Sequence, residues 1–261
     1  MRRTLLASVS AAVLSTSAAM AAAPMAPAPT WTGFYVGLNA GYAWGHSDPS
    51  LIANVTVEPF GFIGTTGAPP SLSPRGFIGG GQAGYNWQSG QWVFGGEIDF
   101  SGLDAKADAT VSPFFVGKSS RNIVTWSSRY DWLFTARLRG GFLVAPTWLV
   151  YVTGGLAVTH VHDSASCSPL PSGGTCGDFN GGTVLNWSGS DTLAGGTIGG
   201  GIETMLAPNW TARVEYLYAK FKDTTPALVS QPVALAPVPP IFTFDHNLNV
   251  VRFSVNYKFN P

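Results

Sequence analysis

Two histidines and an acidic residue lie together near the middle of the chain. His160 and His162 are separated by one residue, so in an extended strand both imidazoles point to the same face, and Asp163 follows directly. Imidazole nitrogens bind metal ions and haem iron, which makes the two histidines weak candidates for a metal site. No third ligand is evident from the spacing, although Asp178 or His46 can approach. The favoured interpretation is a polar rim without metal.

His246 is a candidate of a different kind, the base of a hydrolytic site. Nucleophilic catalysis needs a serine or cysteine within hydrogen-bond reach of a base that a third group orients. His246 is followed by Asn247-Leu248-Asn249, and no serine lies at a near spacing. Because no nucleophile can be named, we predict no catalytic residues and no enzyme. A lipid-modifying enzyme stays as a remote alternative.

Charged side chains alternate with large apolar ones, and this alternation indicates the elements that position them. In Arg129–Val144 one face is apolar and the other carries Arg129, Asp131, Arg137 and Arg139. A period of two indicates a β-strand with two different faces. Eight such segments follow one another: Trp31–Gly45, Arg75–Gln88, Gln91–Ser101, Arg129–Val144, Trp148–Val161, Asp191–Thr204, Trp210–Phe221 and Asn247–Phe259. Each has about 11 to 16 residues, enough for a tilted strand to cross a membrane.

Short and long connections alternate between the eight segments. The short ones lie at Ser89-Gly90, around Ala145-Pro146-Thr147 and at Leu206–Asn209. The long ones are His46–Pro74, Gly102–Ser128, His162–Ser190 and Lys222–His246. A compact soluble domain rarely contains four structureless loops of this length, whereas an outer-membrane barrel combines short periplasmic turns with long external loops. The sequence therefore predicts an all-β fold, an eight-stranded antiparallel transmembrane β-barrel.

Tryptophan positions agree with this fold. Five tryptophans stand at strand ends beside a terminus or a short turn: Trp31, Trp87, Trp92, Trp148 and Trp210. Amphipathic rings favour the membrane interface, so we predict that these five form the periplasmic aromatic girdle. A soluble sandwich core does not explain why they cluster at one topological end.

The interior of an eight-stranded barrel is just wide enough to be filled by side chains. The predicted inner face carries Glu97, Asp99, Asp131, Glu203, Glu215, Arg129, Arg137, Arg139, Arg213, Arg252 and Lys258. Glu97 and Asp99 can pair with Arg137 and Arg139, which lie on the next strand. Buried charges must be paired, so we predict an ion-pair network that plugs the lumen. Its members are Glu97, Asp99, Arg137, Arg139, Glu203, Arg213, Glu215 and Arg252. A charged constriction for small solutes is the alternative, while a wide porin needs about 16 strands.

Composition excludes several classes of protein. Of the 261 residues 45% are hydrophobic and only 11% are charged, against about 25% charged in soluble domains. Lys+Arg and Asp+Glu number 14 each, and this zero net charge excludes a bulk attraction to nucleic acid. Beyond the N-terminus no run of about 18 apolar residues occurs, which argues against a helical membrane protein.

The N-terminus has the parts of a secretory signal. Met1-Arg2-Arg3 is basic, Leu5 to Ala19 is apolar or small, and Ala19-Met20-Ala21 is an A-x-A cleavage site. We predict a cleaved signal peptide over residues 1–21, a Pro-rich leader over 22–30 and the barrel over 31–261. The predicted location is the outer membrane of a Gram-negative envelope, and an even strand number leaves both termini in the periplasm.

The chain has two cysteines, Cys167 and Cys176, in the third long connection. Exported proteins fold in an oxidising compartment, where two cysteines at short separation favour a disulfide. We therefore predict that Cys167 and Cys176 form a disulfide with a local stabilising effect.

Four strand motifs resemble a known family. They are Trp31–Gly41 (WTGFYVGLNAG), Tyr151–Ala157 (YVTGGLA), Asn209–Tyr218 (NWTARVEYLY) and Val255–Phe259 (VNYKF). They resemble the small outer-membrane β-barrel surface antigens of alphaproteobacteria, relatives of the OmpA transmembrane domain. The resemblance covers most of the mature chain and implies an integral barrel that supports envelope integrity and is exposed as an antigen. Some members are described as small porins and some as binding haem. The family usually ends on an aromatic residue, whereas here Asn260-Pro261 follows Phe259.

The expected function is structural, in an outer-membrane barrel with surface-exposed loops. A narrow porin-like channel or a haem- or small-ligand-binding protein is the alternative. The expected partners are outer-membrane lipid, lipopolysaccharide and the barrel-assembly machinery. No cofactor and no nucleic acid are expected, and the sequence leaves the oligomeric state open.

Overall fold

The chain forms a closed barrel of eight antiparallel strands. The computed structural model describes residues 30–51, 70–111, 122–169, 185–222 and 242–259. The strands are β1 (Gly33–Leu51), β2 (Arg75–Ser89), β3 (Trp92–Val111), β4 (Asn122–Ala145), β5 (Trp148–Pro169), β6 (Leu185–Ala207), β7 (Trp210–Lys222) and β8 (Phe242–Lys258). Each pairs with the next, and β1 also pairs with β8, which confirms the predicted barrel. No helix long and apolar enough to cross a membrane occurs among the described residues.

The alternation of residue types sorts the side chains to two faces. On β1 the apolar Phe34 and Leu38 point outward and are 66% and 73% exposed, whereas Tyr35 and Asn39 point inward and are buried. The outward face is a continuous apolar surface, and the inward face fills the lumen. This is the distribution expected when lipid, not water, covers the outside of a barrel.

The three short turns lie where the sequence predicts them. Ser89 and Trp92 are paired across the β2–β3 turn, where Gly90 has a φ of 61°. This left-handed conformation is readily adopted by glycine because it has no Cβ. The other two turns are residues 146–147 and 208–209.

Six strands extend well beyond the alternating segments, and the extension is largest in four of them. β3, β4, β5 and β6 contain 20, 24, 22 and 23 residues. Parts of the predicted loops Gly102–Ser128 and His162–Ser190 are therefore strand, and β1 and β8 likewise extend into the other two long connections. Beyond the apolar band the pattern is reversed: outward residues such as Asp104 and Lys106 are polar, whereas inward residues such as Leu103 and Ala105 are apolar, and backbone pairing continues. The rest of each connection lies outside the described residues.

A β-bulge reverses the predicted facing of two charged residues. The register between β4 and β5 shifts between Tyr130 and Trp132, so Asp131 is the extra residue. Below the bulge Arg137 points inward as predicted. Above it Tyr130 points inward and Arg129 points outward, with the Arg129 side chain 52% exposed. The prediction that Arg129 and Asp131 line the lumen is therefore wrong.

Inward-facing glycines make room for the large side chains of the lumen. A Cβ built on Gly84 would overlap the Tyr35 hydroxyl and lie 2.7 Å from the Gly96 carbonyl oxygen. A Cβ on Gly37 would overlap the side-chain oxygen of Asn256. The absence of a side chain at these positions lets aromatic and amide groups cross the barrel interior.

Some predictions concern parts of the chain that are not described. The predicted signal peptide over residues 1–21 lies outside the described residues, as do residues 22–29 of the leader and Asn260-Pro261.

Candidate functional site: the charged lumen

All eight charged residues of the predicted network lie inside the barrel. They come from five strands and each is at most 5% exposed. We call them the lumen charge cluster: Glu97, Asp99, Arg137, Arg139, Glu203, Arg213, Glu215 and Arg252. The alternation along each strand places these side chains inward.

Glu97 accepts hydrogen bonds from two arginines and a tyrosine. Arg213 donates from Nη1 to Oε2 at 2.5 Å and from Nη2 to Oε1 at 2.7 Å, a two-point contact between β7 and β3. Arg137 Nη2 donates to Glu97 Oε1 at 2.5 Å. The Tyr35 hydroxyl donates to Oε2 at 2.7 Å. Charge-assisted contacts of this kind are the strong hydrogen bonds of proteins.

Two arginines and two carboxylates form a closed ring beside Glu97. Arg252 Nη1 lies 2.9 Å from Asp99 Oδ1, and its Nη2 lies 2.7 Å from Glu215 Oε2. Arg137 reaches the same two carboxylates, at 3.0 Å from Asp99 Oδ2 and 3.0 Å from Glu215 Oε1. The ring connects β3, β4, β7 and β8 and therefore crosses the lumen.

The sequence analysis allowed Arg139 to pair with Glu97 or Asp99, but in the structure Arg139 pairs with neither. Its position on β4 is opposite Gly95, whereas Arg137 is opposite Glu97. The Arg139 side chain instead reaches β6, where its Nη2 donates to Glu203 Oε2 at 2.5 Å. Arg139 thus forms a second ion pair at another height of the barrel.

Neutral side chains complete the environment of Arg139 and Glu203. The Thr211 hydroxyl and the Asn256 amide donate to Glu203 Oε1 at 2.6 Å and 3.1 Å. The Arg139 guanidinium lies 4.1 Å from the centre of the Tyr151 ring, a cation–π contact. These neutral partners were not singled out from the sequence, although they occupy the same inward positions as the charges.

The lumen charge cluster has four arginines and four carboxylates, and each carboxylate contacts at least one guanidinium. Its formal charge is therefore zero. Buried charges persist only when they are paired in this way, since removing an ion from water is costly. The ion pairs of the cluster connect strands on opposite sides of the barrel.

An apolar layer fills the barrel on the extracellular side of the lumen charge cluster. Its buried residues are Ala43, Ile78, Leu103, Ala105, Tyr130, Leu133, Ala157, Val161, Leu193, Leu217, Ala219, Phe221, Leu248 and Val250. Sequence reasoning missed this layer. The sequence of β7 contains a sign of it: the inward residues are charged at Arg213 and Glu215 and then apolar at Leu217, Ala219 and Phe221.

Trp31 lies inside the periplasmic end of the barrel. It is 1% exposed and packs with Val93, Leu143 and Leu149. Its indole Nε1 donates to the carbonyl oxygen of Pro146 at 3.2 Å. Trp31 therefore does not face lipid, and its assignment to the aromatic girdle is wrong because the residue precedes β1 and folds into the lumen.

The other four predicted girdle tryptophans project outward beside the short turns. Trp87, Trp92, Trp148 and Trp210 are 57%, 55%, 46% and 45% exposed. Rings from neighbouring strands pack on several of them, as Phe142 does on Trp92 with centroids 5.3 Å apart.

The two candidate metal ligands His160 and His162 are on the outer face of β5. His160 stacks on Trp132 with an interplanar angle of 6°, and its Nδ1 lies 3.2 Å from Thr192 Oγ1. Among the described ranges no group of three or more His, Cys, Asp or Glu residues is placed to hold a metal ion.

His246 is buried and its Nδ1 lies 2.8 Å from the Tyr130 hydroxyl across the lumen. The register places Ser47 opposite His246, a proximity that sequence spacing does not reveal. Ser47 Oγ makes no hydrogen bond to a described residue. Ser47 and His246 therefore lack the contact that activates a nucleophile. The predicted disulfide partner Cys176 lies outside the described residues.

The sequence of this chain is similar to those of known outer-membrane proteins. The model of the outer membrane protein β-barrel domain matches residues 9–259. The 31 kDa outer-membrane immunogenic protein of Brucella melitensis is 33% identical, over 99% of this chain and 100% of its own length. The 22 kDa outer membrane protein of Rhizobium leguminosarum bv. viciae is 28% identical, over 91% of this chain and 82% of its own.

Among solved structures, the attachment invasion locus protein Ail of Yersinia pestis matches with a TM-score of 0.36 and 13% identity, over 87% of this chain and 99% of that one. The model match covers nearly the whole chain, and the Brucella relative is matched along its entire length. The eight-stranded ring, the apolar outer face and these relatives lead to one assignment: the chain belongs to the outer membrane protein β-barrel domain family and is an integral protein of the cell outer membrane.

Proposed function

We propose that the barrel is closed to solutes and has a structural role in the envelope, anchoring surface-exposed loops. The observation that carries this proposal is the lumen charge cluster, in which cations and anions balance and bind one another across the interior. An eight-stranded barrel has little interior space beyond what side chains fill. Here those side chains connect opposite walls.

The ion pairs oppose conduction for an electrostatic reason. A pore that selects small ions presents unpaired charge or dipoles to the permeating ion. In this lumen Arg137 and Arg252 are each shared between Asp99 and Glu215, and Arg213 is bound to Glu97 at two points. An entering ion would have to replace these contacts, since all six side chains are buried.

The apolar layer is a second barrier in series with the first. Leu133, Leu193, Leu217 and Leu248 are each at most 4% exposed and come from four different strands. A water column crossing such a layer would lose hydrogen bonds without replacement. The periplasmic end is covered by Trp31, so the lumen is filled at three heights.

A non-enzymatic role accords with the relatives and with the site. The Brucella relative is named as an immunogenic outer-membrane protein. Within the described part of the chain, the inward histidine His246 is 1% exposed, and its Nδ1 is engaged by Tyr130. A catalytic base must reach its substrate, which this burial prevents.

Single-channel recording on the folded protein in planar bilayers tests closure. Heat-modifiable mobility on unboiled gels and a β-rich circular dichroism spectrum establish folding first. We expect no discrete openings. Reproducible openings from folded protein would contradict the proposal, and a change of their conductance in Arg137→Ala or Arg139→Ala would locate a narrow pore in the lumen charge cluster.

The envelope role is tested in cells. Deleting the gene should raise the sensitivity of the bacterium to detergent, and a plasmid copy should restore resistance. If resistance is unchanged by deletion while solute uptake falls, the structural role is refuted and an uptake function takes its place.

A further inference from the structure

Four basic side chains stand next to one another on the outside of the barrel. Arg75 on β2 is paired with Lys106 on β3, Lys106 with Arg129 on β4, and Arg129 with His162 on β5. All four residues are exposed. We call them the cation row. Adjacent strands are about 4.8 Å apart, so the row spans about 15 Å of the surface.

Like charges at directly opposed strand positions are unfavourable. Two carboxylates offset part of this cost: Asp104 lies 2.9 Å from Lys106 and 3.9 Å from Arg129, and Asp131 lies 3.0 Å from Arg129. The hydrogen bond from Lys106 and the charges of Lys106 and Arg129 lower the pKa of Asp104. Among the described residues Arg75 has no carboxylate within ion-pair distance.

The paired cations keep donors for a further anion. A lysine ammonium has three N–H donors and a guanidinium has five. Asp104 and Asp131 occupy only part of these on Lys106 and Arg129. Asp108, the next outward position on β3, faces Ser127 rather than a cation. The row therefore combines three permanent positive charges with unused hydrogen-bond donors.

The cation row lies just beyond the apolar band of the outer face. On β2 this band runs from Trp87 to Phe77. With the rise and tilt of barrel strands, this stretch covers about 25 Å along the barrel axis, which equals the usual height of a lipid-facing band. Arg75 is the next outward residue after Phe77. On β4 the last outward aromatic residue is Trp132, and Arg129 follows beyond the bulge. This level is that of the outer-leaflet headgroups.

We propose that the cation row binds the phosphate groups of lipopolysaccharide in the outer leaflet. The phosphates of its lipid anchor lie at the boundary where the apolar band ends, and guanidinium and ammonium groups are the side chains that bind phosphate most strongly. A lipid source is favoured over free phosphate because the site is beside the apolar surface that holds the acyl chains. The inference goes beyond the closed lumen and does not depend on it.

The test measures binding of bisphosphorylated lipid A in detergent micelles to the folded full-length barrel. Each lysine or arginine near an anionic membrane surface strengthens binding about fivefold. Losing two should therefore weaken binding about 25-fold. We expect this loss for Arg75→Gln/Lys106→Gln and little change for Lys220→Gln, the control. Lys220 is exposed on β7, and its register partners are Gly196 and Asn247, so it has no cationic neighbour across the sheet.

Three outcomes overturn the proposal. Equal binding of dephosphorylated lipid A would show that acyl chains alone are recognised. Equal loss in Lys220→Gln would show that any surface cation suffices. Displacement of lipid A by inorganic phosphate at comparable concentration would assign the row to free phosphate. Heat-modifiable mobility of each variant ensures that weak binding does not reflect a failure to fold.

Discussion

Arg213 on β7 and Glu97 on β3 form a two-point ion pair across the lumen, with nitrogen–oxygen distances of 2.5 and 2.7 Å. The two residues are 116 positions apart in the chain. Their contact ties opposite walls of the barrel together at the height of the membrane. Because Glu97 also binds Arg137 and Tyr35, it is the carboxylate on which much of the lumen charge cluster depends.

Replacing Glu97 by glutamine should be strongly destabilising. The amide has nearly the same shape, but Arg213 and Arg137 would lose the charge that compensates them in a buried site. Breaking a buried pair in this way costs about 3–5 kcal/mol. Urea unfolding in lipid vesicles, followed by tryptophan fluorescence, measures the free energy of unfolding.

The control for Glu97→Gln is Asp131→Asn at the exposed pair with Arg129. Solvent-exposed ion pairs contribute at most about 1 kcal/mol. Equal losses in the two variants would mean that the lumen pairs are as weakly coupled as surface pairs.

Trp31→Ala should destabilise the barrel more than Trp87→Ala. Trp31 is enclosed at the periplasmic end, so its removal leaves a cavity, and truncating a large buried aromatic costs about 3–5 kcal/mol. Trp87 is 57% exposed on the outer face, where lipid can fill the space. The same unfolding measurement compares them, and a larger loss for Trp87→Ala would place the important tryptophan in the girdle instead.

Gly84→Ala should disturb the lumen, whereas Gly96→Ala should not. The new methyl group on Gly84 would overlap the Tyr35 hydroxyl that donates to Glu97, and overpacking of this kind costs about 1–3 kcal/mol. The nearest atoms to a Cβ on the outward-facing Gly96 are 3.9 Å away. Thermal loss of heat-modifiable mobility provides the comparison. Unchanged stability in Gly84→Ala would show that Tyr35 can move without cost.

Tyr130→Phe removes the hydrogen bond between the Tyr130 hydroxyl and His246 in the buried interior. Losing one buried hydrogen bond costs about 0.5–1.5 kcal/mol. The matched variant is Tyr216→Phe, which removes a 2.7 Å hydrogen bond to Asn249 on the exposed face. We expect the larger loss of unfolding free energy in Tyr130→Phe, and the reverse order would refute a bridging role for Tyr130.

Alternation along the chain, together with the short and long connections, was sufficient to predict the strand number, the closed barrel and the inward position of the eight charges of the lumen charge cluster. A period of two assigns each side chain to a face without knowledge of the partner strand. It also predicted that Glu97 and Arg137 can meet, because they lie on consecutive strands, and the register makes them direct partners. It failed above the membrane, where β3 to β6 continue with the reversed pattern, polar outward and apolar inward, as at Asp104 and Ala105 on β3.

Tertiary structure alone decided which charges meet across the lumen. Closure of the sheet brings β3 opposite β7 and β8, so Asp99 binds Arg252 and Glu97 binds Arg213 over long chain separations. A one-residue bulge turned Arg129 outward, and the chain before β1 folded Trp31 into the lumen. Periodicity is a property of each strand by itself, whereas these contacts depend on the stagger and closure of the whole barrel, and no single strand carries that information.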